Sequence, residues 1–394
     1  MRTSMKKVDR KTVRLFKKIA TILSPPPVLT VSQWADEYRR LSPEASAEPG
    51  RWNTDRAPYQ RAIMDAVNDA RCEDIIIMSS AQVGKTELIL NIIGYYIDYD
   101  PSPILVLQPT LEMAQTFSKD RLAPMLRDTP ALKGKVKDAR SRDSGNTILH
   151  KTFPGGHITM VGANSAAGLA SRPIKVVLMD EVDRYPASAG TEGDPIKLAE
   201  KRTTTFWNRK KIKVSTPTIK GRSPIEKEFL TSSMEEWNVP CPCCGKYQPY
   251  EWGRIHFSDV TMECKYCLEH ISERDWKSNP GKWVAAKENN KKRGFHLNEL
   301  ASPWKHWEEI IEDFKEADRD RKQGDIEKLK TFVNTALGEP WEERGEAADD
   351  NVLLSRRERY NADLPDGVLL VTAGVDVQDD RLEIEITGWG KGYE

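Results

Sequence analysis

No charge of one sign dominates this chain. Sixty acidic residues stand against 60 basic ones, so the total charge supplies no global attraction to nucleic acid. Nor does any apolar run approach the roughly 20 residues that cross a bilayer, and the N-terminus lacks the uninterrupted apolar core of a secretory signal. A soluble, intracellular protein with no membrane partner is expected. Internal repeats and low-complexity tracts are absent too, which leaves two or three ordinary domains for 394 residues. Cysteine is scarce, with six residues, but five of them crowd between 241 and 267. One absence is local: Ser79 stands where a phosphate-binding loop usually begins with glycine.

The rest of that loop is present. Ser79, Ser80, Ala81, Gln82, Val83, Gly84, Lys85 and Thr86 follow the apolar run Ile75-Ile76-Ile77-Met78, a strand leading into a turn and a helix. Backbone N–H groups of such a loop wrap a polyphosphate. Lys85 would reach the β- and γ-phosphates of ATP, and the Thr86 hydroxyl would hold Mg²⁺. Further on, Val176-Val177-Leu178-Met179 reads as a buried parallel strand ending in Asp180 and Glu181. Acids there face the same crevice as Lys85, outside the carboxyl ends of the strands. Asp180 would help to hold Mg²⁺ and Glu181 would deprotonate the attacking water. Together the two motifs imply an ATP hydrolase. A third strand, from Lys211, stops at Ser215, Thr216, Pro217 and Thr218; its hydroxyls either sense the γ-phosphate or form a simple turn.

Cys241, Cys244, Cys264 and Cys267 give two Cys-x₂-Cys pairs separated by 19 residues, the spacing of a four-thiolate zinc ribbon. Gly245 follows the second ligand, where the turn needs a permissive backbone. A structural staple is the expected role, since most four-thiolate sites are closed. Cys243 is surplus. After Gly367 two β-rich runs flank Gln378-Asp379-Asp380-Arg381 as a hairpin, with Glu383, Glu385 and Thr387 alternating against Leu382, Ile384 and Ile386.

Charge is uneven along the chain. Residues 1–23 form a basic arm closed by Ser24-Pro25-Pro26-Pro27, and Arg209, Lys210, Lys211, Lys213, Lys220 and Arg222 form a second basic cluster. From Trp304 to Asp350 the pattern is acidic and helical, with the stripes Trp307, Ile310, Ile311, Phe314 and Leu329, Phe332, Val333, Leu337 as core faces.

These pieces in this order resemble the lambda-like large subunit of a tailed-phage terminase. The resemblance rests on Ala57-Pro58-Tyr59-Gln60, the loop ending Gly84-Lys85-Thr86, Gly168-Leu169-Ala170-Ser171-Arg172-Pro173, the Ser215–Thr218 stop and Ala373-Gly374-Val375-Asp376-Val377-Gln378. It implies that Tyr59 and Gln60 contact adenine and that Ser215, Thr216 and Thr218 couple hydrolysis to DNA movement. Asp376 would be the first metal ligand, for Mg²⁺ or Mn²⁺, of a ribonuclease H-like nuclease. Arg172 would supply charge to the transition state or form a surface ion pair.

The second basic cluster would then grip the phosphates of duplex DNA. The implied partners are double-stranded DNA, a small terminase subunit, a portal ring and further copies of the chain in a ring, in the host cytoplasm. The expected fold is α/β: a P-loop core with a parallel central sheet over 51–235 after an N-terminal lead-in (1–50), a zinc ribbon over 236–272, a helical linker over 273–350, and the first hairpin of the nuclease over 351–394. Because the chain stops after the second strand of that hairpin, no DNA cleavage by this polypeptide alone is expected. Two rival readings stay open: a helicase-type or restriction-type ATPase, and a non-catalytic zinc-ribbon adaptor with a vestigial loop.

Overall fold

The computed structural model describes residues 9, 11, 13–16, 28–136, 146–169, 172–289, 291–343, 364–377 and 382–392. Most of the basic arm, Ala170, Ser171, the linker at 345–350 and the 378–381 turn lie outside them. The chain forms two units, Met1–Glu342 and Glu343–Glu394.

In the first unit a short hairpin, β1 (Arg40–Leu41) and β2 (Gly50–Arg51), precedes the central sheet. That sheet contains β3 (Asp74–Ser79), β4 (Ile104–Gln108), β5 (His150–Phe153), β6 (Gly156–Gly162), β7 (Val176–Asp180), β8 (Lys210–Ser215), β9 (Glu235–Pro240) and β10 (Tyr247–Pro249). A separate three-stranded sheet of β11 (Ile255–His256), β12 (Thr261–Glu263) and β13 (His270–Ser272) follows. The chain then returns to the central sheet with β14 (Lys282–Ala285) and β15 (Lys292–Leu297).

The central order is β10-β9-β15-β3-β8-β7-β4-β6-β5, with β14 also on β9. Pairs from β9–β15 through β4–β6 are parallel, whereas β5, β10 and β14 join antiparallel. The sheet is therefore mixed, with a parallel middle. The middle is covered on both faces, which is why β3, β4 and β7 read as unbroken apolar runs instead of alternating ones.

One difference from the sequence pattern bears on the site. The stretch expected to be helical from 273 onward first contributes β14 and β15, and β15 lies in parallel register beside β3, from Lys292↔Asp74 to Leu297↔Ser79. The two apolar stripes do form helical core faces farther on. Trp307, Ile310, Ile311, Phe332 and Leu337 are buried in one cluster with Tyr59, Val83, Trp237 and Cys264.

The basic cluster expected on a DNA-gripping surface is mostly internal. Lys213, on central strand β8, is 1% exposed and sits among Glu200, Glu228 (2.9 Å) and Asp74 (3.6 Å). Lys210 donates to the carbonyls of Asp69 and Cys72. Lys211 pairs with Asp74 at 2.8 Å and Arg209 with Glu73 at 3.0 Å. Position explains the difference: a strand with a neighbour on each side and cover on both faces buries its lysines, and burial forces pairing. Lys220 and Arg222, past the strand, remain exposed.

The second unit holds an antiparallel hairpin, β16 (Leu370–Val377) and β17 (Leu382–Trp389). Asp376 pairs with Glu383 and Gly374 with Glu385. Cross-strand partners share a face, so both glutamates lie on the face of Asp376. No helix among the described residues is long and apolar enough to cross a membrane.

The Lys213 cluster yields a stability prediction. Lys213→Ala removes the buried ammonium that Glu200, Glu228 and Asp74 share, leaving them only Lys197, Lys292 and Lys211, and should cost about 1–3 kcal/mol in urea unfolding at neutral pH, whereas Lys220→Ala should stay within about 0.5 kcal/mol. Burial alone raises the Glu228 carboxyl, but Lys213 and Lys292 overcome it and hold the group at about 2, below the ordinary 4.5. A depressed carboxyl stabilises above its ordinary value, so this contribution should fade as pH falls from 4.5 toward 2, and Lys213→Ala should flatten that slope.

Candidate active site

Strand β3 delivers the loop to the carboxyl end of the parallel strands. Ser79 and Ser80 are fully buried at its tip, and the helix Lys85–Asp98 starts immediately after the loop. Gly84 caps that helix at φ +85°, and a Cβ there would lie 2.3 Å from Gln60 Nε2. The backbone conformation is what calls for glycine here, since the Gln60 amide could swing away from a Cβ. The missing first glycine has a simple account. The left-handed bend falls on Gln82 (φ 55°), and Ser79 adopts no such conformation, so the strand tip tolerates a side chain.

Lys85 is nearly buried. Its Nζ lies 3.4 Å from Glu181 Oε1 and bonds the Thr216 hydroxyl. Burial pushes the ammonium below its ordinary value, and Glu181 followed by Asp180 pulls it back up. Asp180 closes β7, accepting a hydrogen bond from Gln108 Nε2 at 3.1 Å. Burial pushes its carboxyl up to about 6. Glu181 takes a left-handed conformation (φ 53°), which turns its side chain off the strand and begins the turn Val182–Arg184. A non-glycine residue held so is strained, and such strain gathers where a side chain must be aimed.

The Ser215–Thr218 stop wraps this acidic end. Ser215 Oγ accepts from the Asp183 N–H at 3.2 Å, and the Thr218 hydroxyl donates to Asp183 Oδ2 at 2.8 Å. Asp183 also accepts from the Ile225 N–H at 2.8 Å. Gln108 and Asp183 escaped the sequence reading. Their signals were slight: a polar residue closing the apolar run Ile104–Leu107, and a third acid two positions after Glu181.

Tyr59 and Gln60 sit beneath the loop. The Tyr59 hydroxyl and Gln60 Nε2 both donate to the Val83 carbonyl, at 3.3 and 3.1 Å, and the tyrosine ring is buried edge-on against Trp237. The ring is 2% exposed and lines a small cavity together with Ser79, Val83 and Lys85. On the opposite side the loop is tied to later chain. Ser80 N–H donates to Leu297 O at 2.9 Å and Ala81 N–H to Thr335 O at 2.7 Å. Thr86 lies on the first helical turn, half-buried. Arg172 is far from Lys85 along the sheet, with its guanidinium 3.1 Å from His150 Nε2 on edge strand β5.

The four cysteines converge. Cys241 and Cys267 sulfurs are 3.7 Å apart, those of Cys244 and Cys264 3.8 Å, and all four lie within 4.8 Å of one another. Metal–sulfur bonds of about 2.3 Å in a tetrahedron give edges of about 3.8 Å, whereas a disulfide would need about 2.05 Å. The two knuckles also match. Cys244 N–H points at Cys241 Sγ and Tyr266 N–H at Cys264 Sγ, and each pair is followed by a left-handed residue, Gly245 (φ 71°) and Leu268 (φ 62°). Cys243 is exposed, outside this cluster.

Residues 46–283 match the family model described as phage terminase large subunit gpA, ATPase domain, and residues 292–394 match its endonuclease domain. The chain belongs to the phage terminase large subunit gpA family. The terminase large subunit of Enterobacteria phage P21 is 33% identical over 95% of the chain, and that of Escherichia phage lambda 30% identical over 100%. The chain spans 62% and 65% of the lengths of these two relatives. Among solved structures, the large terminase ATPase domain of Thermus phage P74-26 aligns over 76% of this chain and 99% of that one, at 14% identity with a TM-score of 0.41. That likeness is too loose to support any step here.

The family's endonuclease segment begins at Lys292, which opens β15 and so lies inside the sheet that carries the loop. Gly338 shows how tight that junction is. It sits at φ +65°, and a Cβ would meet Ser80 N at 2.6 Å and Leu297 O at 2.9 Å, both backbone atoms that cannot yield cheaply. Gly338→Ala should therefore weaken nucleotide binding at least about tenfold in a fluorescent-nucleotide titration, by displacing the loop. Gly324→Ala, equally left-handed but with open space around it, should cost stability and leave affinity unchanged.

Proposed function

We propose that this chain is the ATP-hydrolysing motor of a terminase large subunit, which drives double-stranded viral DNA into a procapsid. The observation that carries the reading is the meeting of Lys85, Glu181 and Thr216 at the carboxyl end of the parallel strands. Lys85 exchanges Glu181 for the β- and γ-phosphates when ATP enters, because a trianionic tail satisfies a buried ammonium better than one carboxylate. Glu181, released, takes the proton of the attacking water. Thr86 and Asp180 would hold Mg²⁺, with Gln108 fixing the Asp180 carboxylate through Oδ2. Bound Mg²⁺ supplies charge neutralisation at the phosphates. Thr216 loses its lysine partner in the same exchange, so the Ser215–Thr218 segment registers whether a γ-phosphate is present. Tyr59 and Gln60 act on the nucleotide through the Val83 carbonyl, as supports of the loop.

The four thiolates hold Zn²⁺ as a staple. Asp376 supplies a ligand for Mg²⁺ or Mn²⁺ in a ribonuclease H-like nuclease, with Glu383 and Glu385 on its face of the hairpin. Duplex DNA, the small terminase subunit, the portal and further copies of the chain are the partners that family membership supports, in the host cytoplasm. The non-catalytic adaptor reading loses its one argument, since Ser79 occupies a position that needs no glycine.

Steady-state ATP hydrolysis with and without linear duplex tests the proposal. Glu181→Ala should lower kcat by about 10²–10⁴ and keep nucleotide affinity, while Lys85→Ala should lose both. Duplex should stimulate the wild type. Turnover that survives Glu181→Ala would sink the assignment of the base.

A further inference from the structure

Strand β12 is paired on both sides, and its two faces have different chemistry. Ile255, Met262 and Ile271 are cross-strand partners that pack into the second core, whereas His256 pairs with Thr261 and Glu263 with His270 on the other face. Alternation along three short strands thus gathers two imidazoles and a carboxylate in one place. Glu263 Oε2 lies 3.9 Å from His256 Nε2 and 4.0 Å from His270 Nε2, and the two rings are 3.8 Å apart between centroids. One ligand atom from each residue falls within 4.8 Å of the other two.

The surroundings aim these groups. Arg254 Nη1 binds the other carboxylate oxygen, Glu263 Oε1, at 2.8 Å, which leaves Oε2 directed at the histidines. Behind His270, Asp259 Oδ2 lies 3.7 Å from Nδ1, and the other oxygen of that carboxylate, Oδ1, accepts from the Thr261 hydroxyl at 3.0 Å. A carboxylate at the far nitrogen is the usual partner that fixes the tautomer of a metal-binding imidazole. The Arg254 charge opposes a cation, but Glu251 pairs with that guanidinium at 2.9 Å and offsets it.

We propose that His256, Glu263 and His270 form a second metal site, distinct from the four thiols, for a divalent transition ion of the zinc class. Two imidazoles and one carboxylate are borderline donors suited to such ions, and Zn²⁺ bonds of about 2.0–2.2 Å imply ligand edges of about 3.3–3.5 Å. The present 3.9 and 4.0 Å separations from Glu263 Oε2 exceed that range by about half an ångström. With one ligand from each of β11, β12 and β13, the ion ties together a sheet whose strands are too short to hold firmly by pairing alone.

The test is metal content of the full chain after equilibrium dialysis against buffered micromolar Zn²⁺. Wild type should retain two equivalents, and the double variant His256→Ala/His270→Ala one, with unchanged far-ultraviolet circular dichroism. Glu263→Gln keeps the shape of the side chain and guards against a folding artefact; it should weaken the second equivalent at least about tenfold. A single equivalent in the wild type, or a second one that survives the double substitution, overturns the site.

Discussion

A lysine ammonium held almost out of water at the tip of a parallel sheet is the constraint around which the first unit is arranged. Taking such a charge from solvent costs several kcal/mol unless anions or acceptors replace the lost water. Glu181 and Thr216 do that for Lys85 in the present state. Delivering it there requires β3 between β15 and β8, a left-handed Gly84 and a helix that begins at Lys85 itself. Each of these is a backbone condition, so the charge can be presented to a ligand without the chain rearranging. A polyphosphate is then the natural substitute partner, because it brings more negative charge than the carboxylate it displaces.

The exchange we propose for Lys85 would have consequences along β8. The segment following the strand is bonded on one side to Lys85, through Thr216, and on the other to Asp183, through Ser215 and Thr218. Burial raises the Asp183 carboxyl above its ordinary value, against the Ser223 hydroxyl, the Ile225 N–H and the Thr218 hydroxyl and N–H, which lower it. A network of this kind, satisfied at every member, rigidifies its residues, and removing one partner is costly. Loss of the Lys85–Thr216 bond therefore acts on a segment otherwise firmly fixed, which localises the response to Thr216 instead of dispersing it.

The phosphate loop, the acid pair, the thiol spacing and the terminal hairpin were legible because each depends on local rules: strand then turn then helix, apolar run then acid, Cys-x₂-Cys, alternation. The insertion of β15 was not, since Gly294-Phe295-His296-Leu297 is too short a pattern to reveal that it pairs with a strand more than 200 residues earlier. Lys213 misled for a related reason. Its alternation with Ile212 and Val214 resembles a half-exposed strand, and only the sheet order shows that β8 is interior, where lysine must find carboxylates. Tyr59 and Gln60 were expected to meet adenine; the atom they hold is the Val83 carbonyl oxygen, a backbone atom no sequence pattern displays.

The family's division into ATPase and endonuclease segments does not follow the physical boundary. Chain assigned to the second segment supplies the strand beside the loop and the carbonyls that bind Ser80 and Ala81. Between those two contacts the energies differ. Strand β15 is locked to β3 through six residues in register, whereas the stretch after it touches the loop chiefly through Ala81 N–H to Thr335 O and the close approach of Gly338. One such bond contributes about 0.5–1.5 kcal/mol net, so the 335–341 stretch is held to the loop less firmly than β15 is held to β3. The same stretch is gripped by the other end of the site: Trp341 N–H donates to Thr218 O at 2.7 Å, and Lys220 N–H to Trp341 O at 2.9 Å. The loop and the Ser215–Thr218 segment thus converge on the 335–341 stretch, which closes the first unit at Glu342.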